Sequence, residues 1–318
     1  MTESEFLVPG VSDVAQAAAR IAPWAHRTPV VTCSALDERA GRRLYFKCEQ
    51  FQKVGAFKFR GACNAVMALT DEEASRGCIT HSSGNHAQAV ALAAALRGVP
   101  AYIVMPSTAT SVKRAAVVGY GAEVIDCEPT LIARETTAAE VRDRTGAHFV
   151  HPYDDFHVIA GQGTAARELV EEVPALAALV APVGGGGLLA GTILACGDRA
   201  VFAGEPAGAD DAYRSLKAGT LIPQTAPRTV ADGLLTSVGR RNWAIIHPGV
   251  QDIVRVSEAQ IVDAMELLWT RAKLLVEASS AVALAAVLAP EFRDLPGLDD
   301  VGIILSGGNV DVRRLPWA

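Results

Sequence analysis

The sequence predicts an α/β protein built on parallel sheets, and three observations carry that prediction. From about residue 76, short apolar runs alternate with helix-length segments at a pitch that fits right-handed crossovers between parallel strands. A second series of the same kind follows from residue 163. Within it, the apolar run at 178–183 passes into Gly184, Gly185, Gly186 and Gly187 and then into an apolar helix, so free backbone N–H groups and a helix dipole meet where a phosphate can be received.

Taken in order, Ser12-Asp13 caps a first helix that reaches about residue 21, and Thr28-Pro29 turns the chain into a strand at 30–31. A short helix over 35–40 stops at Gly41, and 44–48 is the next strand. A helix begins in the Lys58 segment and runs to about 69, after which Thr70 and Glu73 form a capping box for another. The first regular series has strands at 78–80, 101–105, 123–126 and 148–150, with helices at 85–96, 111–118 and 134–144. The second has a helix at 163–172, a strand at 178–183, a helix at 188–195 and a strand at 200–203. After a less regular middle, Ser257 with Gln260 caps a long helix into Leu275, 279–288 is helical, and 301–305 is a last buried strand. No linker rich in Pro, Gly or Ser separates these parts.

At 318 residues and 50% hydrophobic content, the chain has enough apolar side chains for one large or two ordinary cores. A net charge of -6 without a basic block argues against nucleic acid or an anionic membrane as partner and favours small-molecule chemistry. Glu3 and Glu5 stand where a targeting segment would be basic, and no apolar run reaches membrane-spanning length, so a cytoplasmic enzyme is expected. The six cysteines include no C-x-x-C pair, which signals neither a disulfide framework nor a zinc knuckle. His148 and His151 form no H-E-x-x-H motif and read as a strand-edge pair.

The candidate chemistry begins at Lys58, held between Phe57 and Phe59. An amine pressed among apolar groups deprotonates more readily, and a neutral amine attacks a carbonyl, so Lys58 is a candidate Schiff-base lysine. An isolated Phe-Lys pair is usually a lysine that snorkels to water; here other segments change the odds. Ser82-Ser83-Gly84-Asn85-His86 lies between a strand and an alanine-rich helix, where a carboxylate is well received. Ser306-Gly307-Gly308-Asn309 closes the last apolar strand. Glu205 to Asp211 offers two or three acid oxygens and main-chain carbonyls in a compact turn, a hard-cation pattern that on its own is more often a solvated acidic loop. Gly185-x-Gly187-x-x-Ala190 with Glu205 also fits a dinucleotide fingerprint, but a nicotinamide enzyme leaves the Lys58, Ser83 and Ser306 segments without a purpose.

In this order, from Thr28-Pro29 to Asn309, the segments resemble the serine racemase and serine/threonine dehydratase family of fold-type II pyridoxal 5'-phosphate (PLP) enzymes. The resemblance implies a tryptophan synthase β-like fold: two three-layer, parallel-sheet domains with PLP between them. A small mobile domain over 76–152 is set into a large PLP-binding domain made from 1–75 and 153–318. It implies that Lys58 holds the cofactor and moves the α-proton, that Phe57 and Asn85 adjoin the ring, that Gly184, Gly185, Gly186 and Gly187 bind the phosphate, and that Ser306 faces the pyridine nitrogen. A hydroxyl at that last place makes the ring a weaker electron sink than a carboxylate would, which suits β-elimination. Ser82, Ser83, Asn85 and His86 are implied to hold the substrate carboxylate, Ser83 to act opposite Lys58, and Arg134 to lie near the substrate's distal end. Glu205, the Ala209 carbonyl and Asp211 are implied to bind Mg2+ or Ca2+. Ala56 departs from relatives that carry serine before Phe-Lys.

Ser83 and Gly307-Gly308-Asn309 place the chain nearer the serine racemase branch than the threonine-dedicated one. The expected activity is a serine/threonine ammonia-lyase releasing a 2-oxo acid and ammonia, with serine racemisation open as a second activity. The alternatives are a 3-hydroxyaspartate dehydratase, in which Arg134 meets the extra carboxylate, and a non-catalytic amino-acid sensor. The resemblance also suggests a homodimer. The chain stops soon after Asn309, so no C-terminal regulatory domain is expected.

Overall fold

The computed structural model describes residues 7–317; Glu3 and Glu5 lie outside the described residues. Its elements are α1 (Val11–Ile21), β1 (Val30–Val31), α2 (Ser34–Ala40), β2 (Arg43–Cys48), α3 (Lys58–Ala68), α4 (Asp71–Ser75), β3 (Cys78–His81), α5 (Asn85–Arg97), β4 (Ala101–Pro106), α6 (Ser111–Gly119), β5 (Glu123–Cys127), α7 (Leu131–Thr145) and β6 (His148–Phe149). They continue with α8 (Phe156–Glu172), β7 (Ala178–Pro182), α9 (Gly187–Ala195), β8 (Ala200–Pro206), α10 (Asp211–Ala218), α11 (Arg240–Gly249), β9 (Asp252–Val256), α12 (Glu258–Leu267), α13 (Ala278–Leu288), α14 (Pro290–Arg293) and β10 (Asp300–Leu305).

Two sheets organise the chain. One has the order β1-β2-β10-β7-β8-β9 and the other β5-β4-β3-β6. Every pairing is parallel except that of β1 with β2, an antiparallel edge. β7 and β10 are buried along their whole length, as expected of parallel strands covered on both faces. Alternation along β7 sends Ala178 and Val180 to the side packed by α13, and Leu179 and Ala181 to the side of α8 and α9. In the second sheet Ile103 and Met105 pack with α3 and α5, while Val104 packs with α7.

Helix α3 lies between the two systems, packed on α8 and on α5. A buried ionic cluster fastens it. Arg60 donates to Glu49 at 2.7 and 2.9 Å and to Glu168 at 2.7 and 2.9 Å. Lys47 donates to Glu168 at 2.6 Å and to the Thr28 carbonyl at 2.7 Å. Burial opposes the Arg60 charge, but the two carboxylates more than offset it and hold its pKa above the ordinary value. Removing one member strands the others in a dry site, so Arg60→Met is expected to cost about 3–5 kcal/mol in chemical denaturation. A cost below about 1 kcal/mol would show that the carboxylates find water or other partners.

Several elements differ from the sequence expectation. α1 starts at Val11 with Gly10 as its cap, and Asp13 accepts from the Gly10 N–H at 2.8 Å instead of capping from within a Ser12-Asp13 pair. α8 begins at Phe156, not 163, capped by Asp155. Gly161 and Gly163 lie inside this helix as close approaches: a Cβ would stand 2.6 Å from the Gly61 Cα and 2.7 Å from the Gly191 carbonyl, respectively. The less regular middle contains α10, α11 and β9. The helix from Ser257 does not reach Leu275: a π-turn over Leu268–Ala272 ends it, and Lys273 adopts φ 60°. The chain then extends so that Leu274 and Val276 enter the core.

Candidate active site

The Lys58 segment is pinned to the end of the central strand. Ala56 bridges Gly307, the Phe57 N–H donates to the Ser306 carbonyl at 3.0 Å, and the Gly308 N–H donates to the Gly55 carbonyl at 2.9 Å. Lys58 thereby becomes the first residue of α3, and its ammonium donates to the Pro152 carbonyl at 2.7 Å. The side chain keeps some open surface, yet protein strips most of the hydration from the amine. Burial lowers its pKa to about 8, against the opposing charge of Glu277. Phe57 is its aromatic neighbour, 5.1 Å from amine to ring centroid, whereas Phe59 turns into the core and meets Lys53 instead.

Asn85 opens α5 and joins the same centre across the interval between the sheets. Its Nδ2 donates to both Glu277 oxygens at 3.0 and 3.2 Å, while Asn309 donates to the Asn85 Oδ1 at 2.8 Å and to the Val54 carbonyl at 2.7 Å. Burial raises the Glu277 pKa to about 7, with the Asn85 donor acting the other way. Ser306 follows β10, and its hydroxyl stands 3.1 Å from that of Ser280. Ser280 in turn fixes Gly307, accepting from its N–H at 2.7 Å.

The remaining carboxylate-binding candidates differ in their surroundings. Ser82 accepts from the Gly84 N–H at 3.3 Å. Gly84 is the cap residue of α5 and no side chain caps that helix, so the Ser83 hydroxyl is not spent as a cap. His86 is buried, with Nε2 3.0 Å from the Val150 carbonyl and no partner at Nδ1. Burial drives its pKa well down, helped by the Lys58 charge, so the ring is neutral and Nε2–H donates to that carbonyl. Arg134, on α7, makes no hydrogen bond to the Lys58 cluster; its Nε is buried without a partner, and its charge acts on His81.

Residues 184–187 connect β7 to α9 and are buried. Their N–H groups donate to no protein acceptor among the described residues. The loop is braced from outside: Asn242 donates to the Gly185 carbonyl at 2.6 Å, and a Cβ on Gly185 would stand 2.3 Å from the Tyr153 ring. Tyr153 adjoins Pro152, the residue that receives Lys58, so one short segment touches both the lysine and the glycine loop.

The profile of pyridoxal-phosphate dependent enzymes matches residues 21–307. The chain belongs to that family. It is 49% identical to the serine racemase of Dictyostelium discoideum over 311 residues, covering 96% of each chain. It is 50% identical over 315 residues to the beta-hydroxyaspartate dehydratase of Paracoccus denitrificans (strain Pd 1222), covering 98% of this chain and 99% of that one. A solved T.th. threonine deaminase superposes with a TM-score of 0.90 at 45% identity, covering 95% of this chain and 99% of that one. The fold is therefore that of the fold-type II PLP enzymes.

The residues present fit the family's cofactor. A desolvated lysine amine stands ready for an aldehyde, and the unpaired N–H groups of 184–187 at the start of α9 suit a phosphate. Membership in this pyridoxal-phosphate dependent family also removes the nicotinamide reading of the glycine run. Glu205, which that reading needs for a ribose, gives both its oxygens to the Ala212 and Tyr213 N–H groups at 2.9 and 2.8 Å.

Glu205 and Asp211 are both fully buried, and neither pairs with a basic side chain among the described residues. Asp210 takes Arg214 and Arg255 instead. Burial raises Glu205 well above the carboxylate range and Asp211 to about 6, and the acidic neighbours add to both. Asp211, like Glu205, already accepts hydrogen bonds, from the Val238 N–H at 2.9 Å and the Gln224 amide at 3.3 Å, so a hard cation would share these oxygens and the Ala209 carbonyl with protein donors; no group of three or more His, Cys, Asp or Glu is arranged for a metal among the described residues.

Sequence reasoning missed Glu277, Tyr153, Asp154 and Asn242. Only Glu277 left a local signal, a lone carboxylate between the apolar Leu274–Val276 run and the apolar α13.

Proposed function

We propose that this PLP-dependent enzyme is an ammonia-lyase for L-serine and L-threonine, with serine racemisation as a second activity. The observation that carries this reading is the desolvated Lys58 amine, joined through residues 152–153 to a glycine loop with unspent N–H donors. PLP, when bound, supplies an electron sink for the charge left on the substrate's α-carbon. Lys58 would hold the cofactor until the substrate amine displaces it and would then take the α-proton; that proton and the β-hydroxyl together leave as water, and hydrolysis of the unsaturated amine yields a 2-oxo acid and ammonia. Phe57 and Asn85 flank the ring, with Asn85 held by Glu277, and Ser306 faces the pyridine nitrogen. Gly184, Gly185, Gly186 and Gly187 take the phosphate. Ser82, Ser83, Asn85 and His86 receive the substrate carboxylate, and Ser83 acts on the face opposite Lys58.

Residues 76–152 form the small mobile domain in this proposal, with 1–75 and 153–318 forming the large one. The enzyme is a cytoplasmic homodimer. No described helix is long and apolar enough to cross a membrane. A second reading, 3-hydroxyaspartate dehydratase, is favoured by the unpaired, buried Nε of Arg134, which suits an extra carboxylate, and by the dehydratase relative of Paracoccus denitrificans. Steady-state release of 2-oxo acid from L-serine, L-threonine and the 3-hydroxyaspartate diastereomers decides between them. A kcat/KM for a 3-hydroxyaspartate at least about tenfold above both others, roughly 1.4 kcal/mol of transition-state preference, would make the second reading the function.

Glu205, the Ala209 carbonyl and Asp211 hold Mg2+ or Ca2+ in a structural role. Thorough chelation is expected to lower the melting temperature and the rate, because burial and the Asp211 charge disfavour an ionised Glu205 unless a cation offsets them. Either metal restores both. An unchanged melting curve and rate after chelation would remove the cation from the proposal.

A further inference from the structure

The segment 151–154 lies at the junction between the two sheets, and it holds three things at once. The Pro152 carbonyl receives Lys58 at 2.7 Å. The Tyr153 ring covers Gly185, and the Tyr153 carbonyl receives Asn242 at 3.1 Å. Asp154 places both carboxylate oxygens on the first turn of α11: Oδ2 accepts from the Arg240 N–H at 3.1 Å, and Oδ1 from those of Arg241 and Asn242 at 2.9 and 3.3 Å. The fit is close enough that a Cβ on Gly239 would stand 2.4 Å from the Asp154 carboxylate.

α11 is not a remote helix. Its third residue, Asn242, is fully buried and donates to the Gly185 carbonyl at 2.6 Å; the Gly239 N–H donates to the same carbonyl at 3.1 Å. Two donors on one carbonyl fix the peptide plane between Gly185 and Gly186, and with it the direction of the next N–H group. Gly186 itself sits against the Asn242 Cβ and Ile246, at φ 92°. The start of α11 therefore sets the geometry of the loop, and Asp154 sets the start of α11.

We propose that Asp154 is a positioning residue for the cofactor's phosphate, acting through the first turn of α11 and Asn242 on the glycine loop. This deepens the PLP reading and rests on it. The consequence is selective: losing Asp154 disturbs what grips the phosphate and leaves the lysine and the ring contacts in place.

The test compares PLP with pyridoxal, which lacks the phosphate. Full-length holoenzyme is dialysed against graded concentrations of each compound, and occupancy is read from visible absorption. Asp154→Ala is expected to weaken PLP about tenfold, the scale of a lost helix cap, with pyridoxal affinity unchanged. Asp154→Asn retains an oxygen acceptor and is expected to recover most of the loss. Asn242→Asp replaces the donor to the Gly185 carbonyl with an oxygen and is expected to show the same selectivity, which decides the matter if the alanine variant does not fold. Equal losses for both compounds, or a lowered melting temperature with an unchanged ratio of the two affinities, make Asp154 a helix cap only and overturn the inference. A parent that binds neither compound overturns the cofactor assignment and this inference with it.

Discussion

Lys58→Ala is expected to abolish the borohydride-reducible visible absorption of the enzyme and to lower turnover at least about 10⁴-fold. Loss of a positioned proton acceptor alone is worth about 10²–10⁴ in rate, and loss of the cofactor's point of attachment adds to it. Neither of the two lysines nearest in sequence is placed to substitute. Lys47 is committed to Glu168 and the Thr28 carbonyl, and Lys53 lies over the Phe59 ring on the far side of the bend at Val54 and Gly55. In the parent, a pKa of about 8 makes the amine half neutral near pH 8, so cofactor attachment should quicken as pH rises from 7 to 9. An alanine variant that kept a reducible adduct at parental occupancy would refute the role of Lys58.

Where local chemistry determines structure, the sequence was readable. The Thr70/Glu73 and Ser257/Gln260 capping boxes each need only four consecutive residues, and both form as expected. The alternation of strands and helices likewise shows itself within windows of a dozen residues. What escaped depends on contacts between distant parts. α10 is started by the Glu205 carboxylate from the preceding strand, and α11 by Asp154, 86 residues before the N–H it receives. The first turns of α8, with Gly161 and Gly163, find their reason only in the helices those glycines admit.

The candidate site divides in the same way. Lys58 and residues 184–187 announce themselves because an unusual composition sits in one short stretch. Glu277 does not, since its meaning lies in Asn85, 192 residues away, and Asn242 is an ordinary helix residue until its amide is seen on the Gly185 carbonyl. The residues proposed to bind are thus easier to read than the residues that hold them still. Substrate choice is harder again, because Arg134 is half-buried without a committed partner and its role depends on what enters beside it.

Ser83→Ala is expected to separate the two activities proposed for this enzyme. Once Lys58 has taken the α-proton of L-serine from one face, water can leave from the β-carbon without help from the other. Inversion instead requires a proton to be delivered from the opposite face, and D-serine must lose its proton to that face. The hydroxyl of Ser83 is free for this purpose in one checkable respect: α5 is capped at Gly84 with no side-chain hydrogen bond, so Ser83 is not holding the helix. Removal should therefore cost little in folding, while racemisation falls at least about 10²-fold and 2-oxo acid release from D-serine falls with it. Release from L-serine should persist. Chiral analysis of recovered serine alongside 2-oxo acid release measures both effects in one incubation. If the alanine variant interconverts the enantiomers as fast as the parent, Ser83 only receives the carboxylate; if the parent itself never yields D-serine, the enzyme is a dehydratase and the opposite face carries no acid.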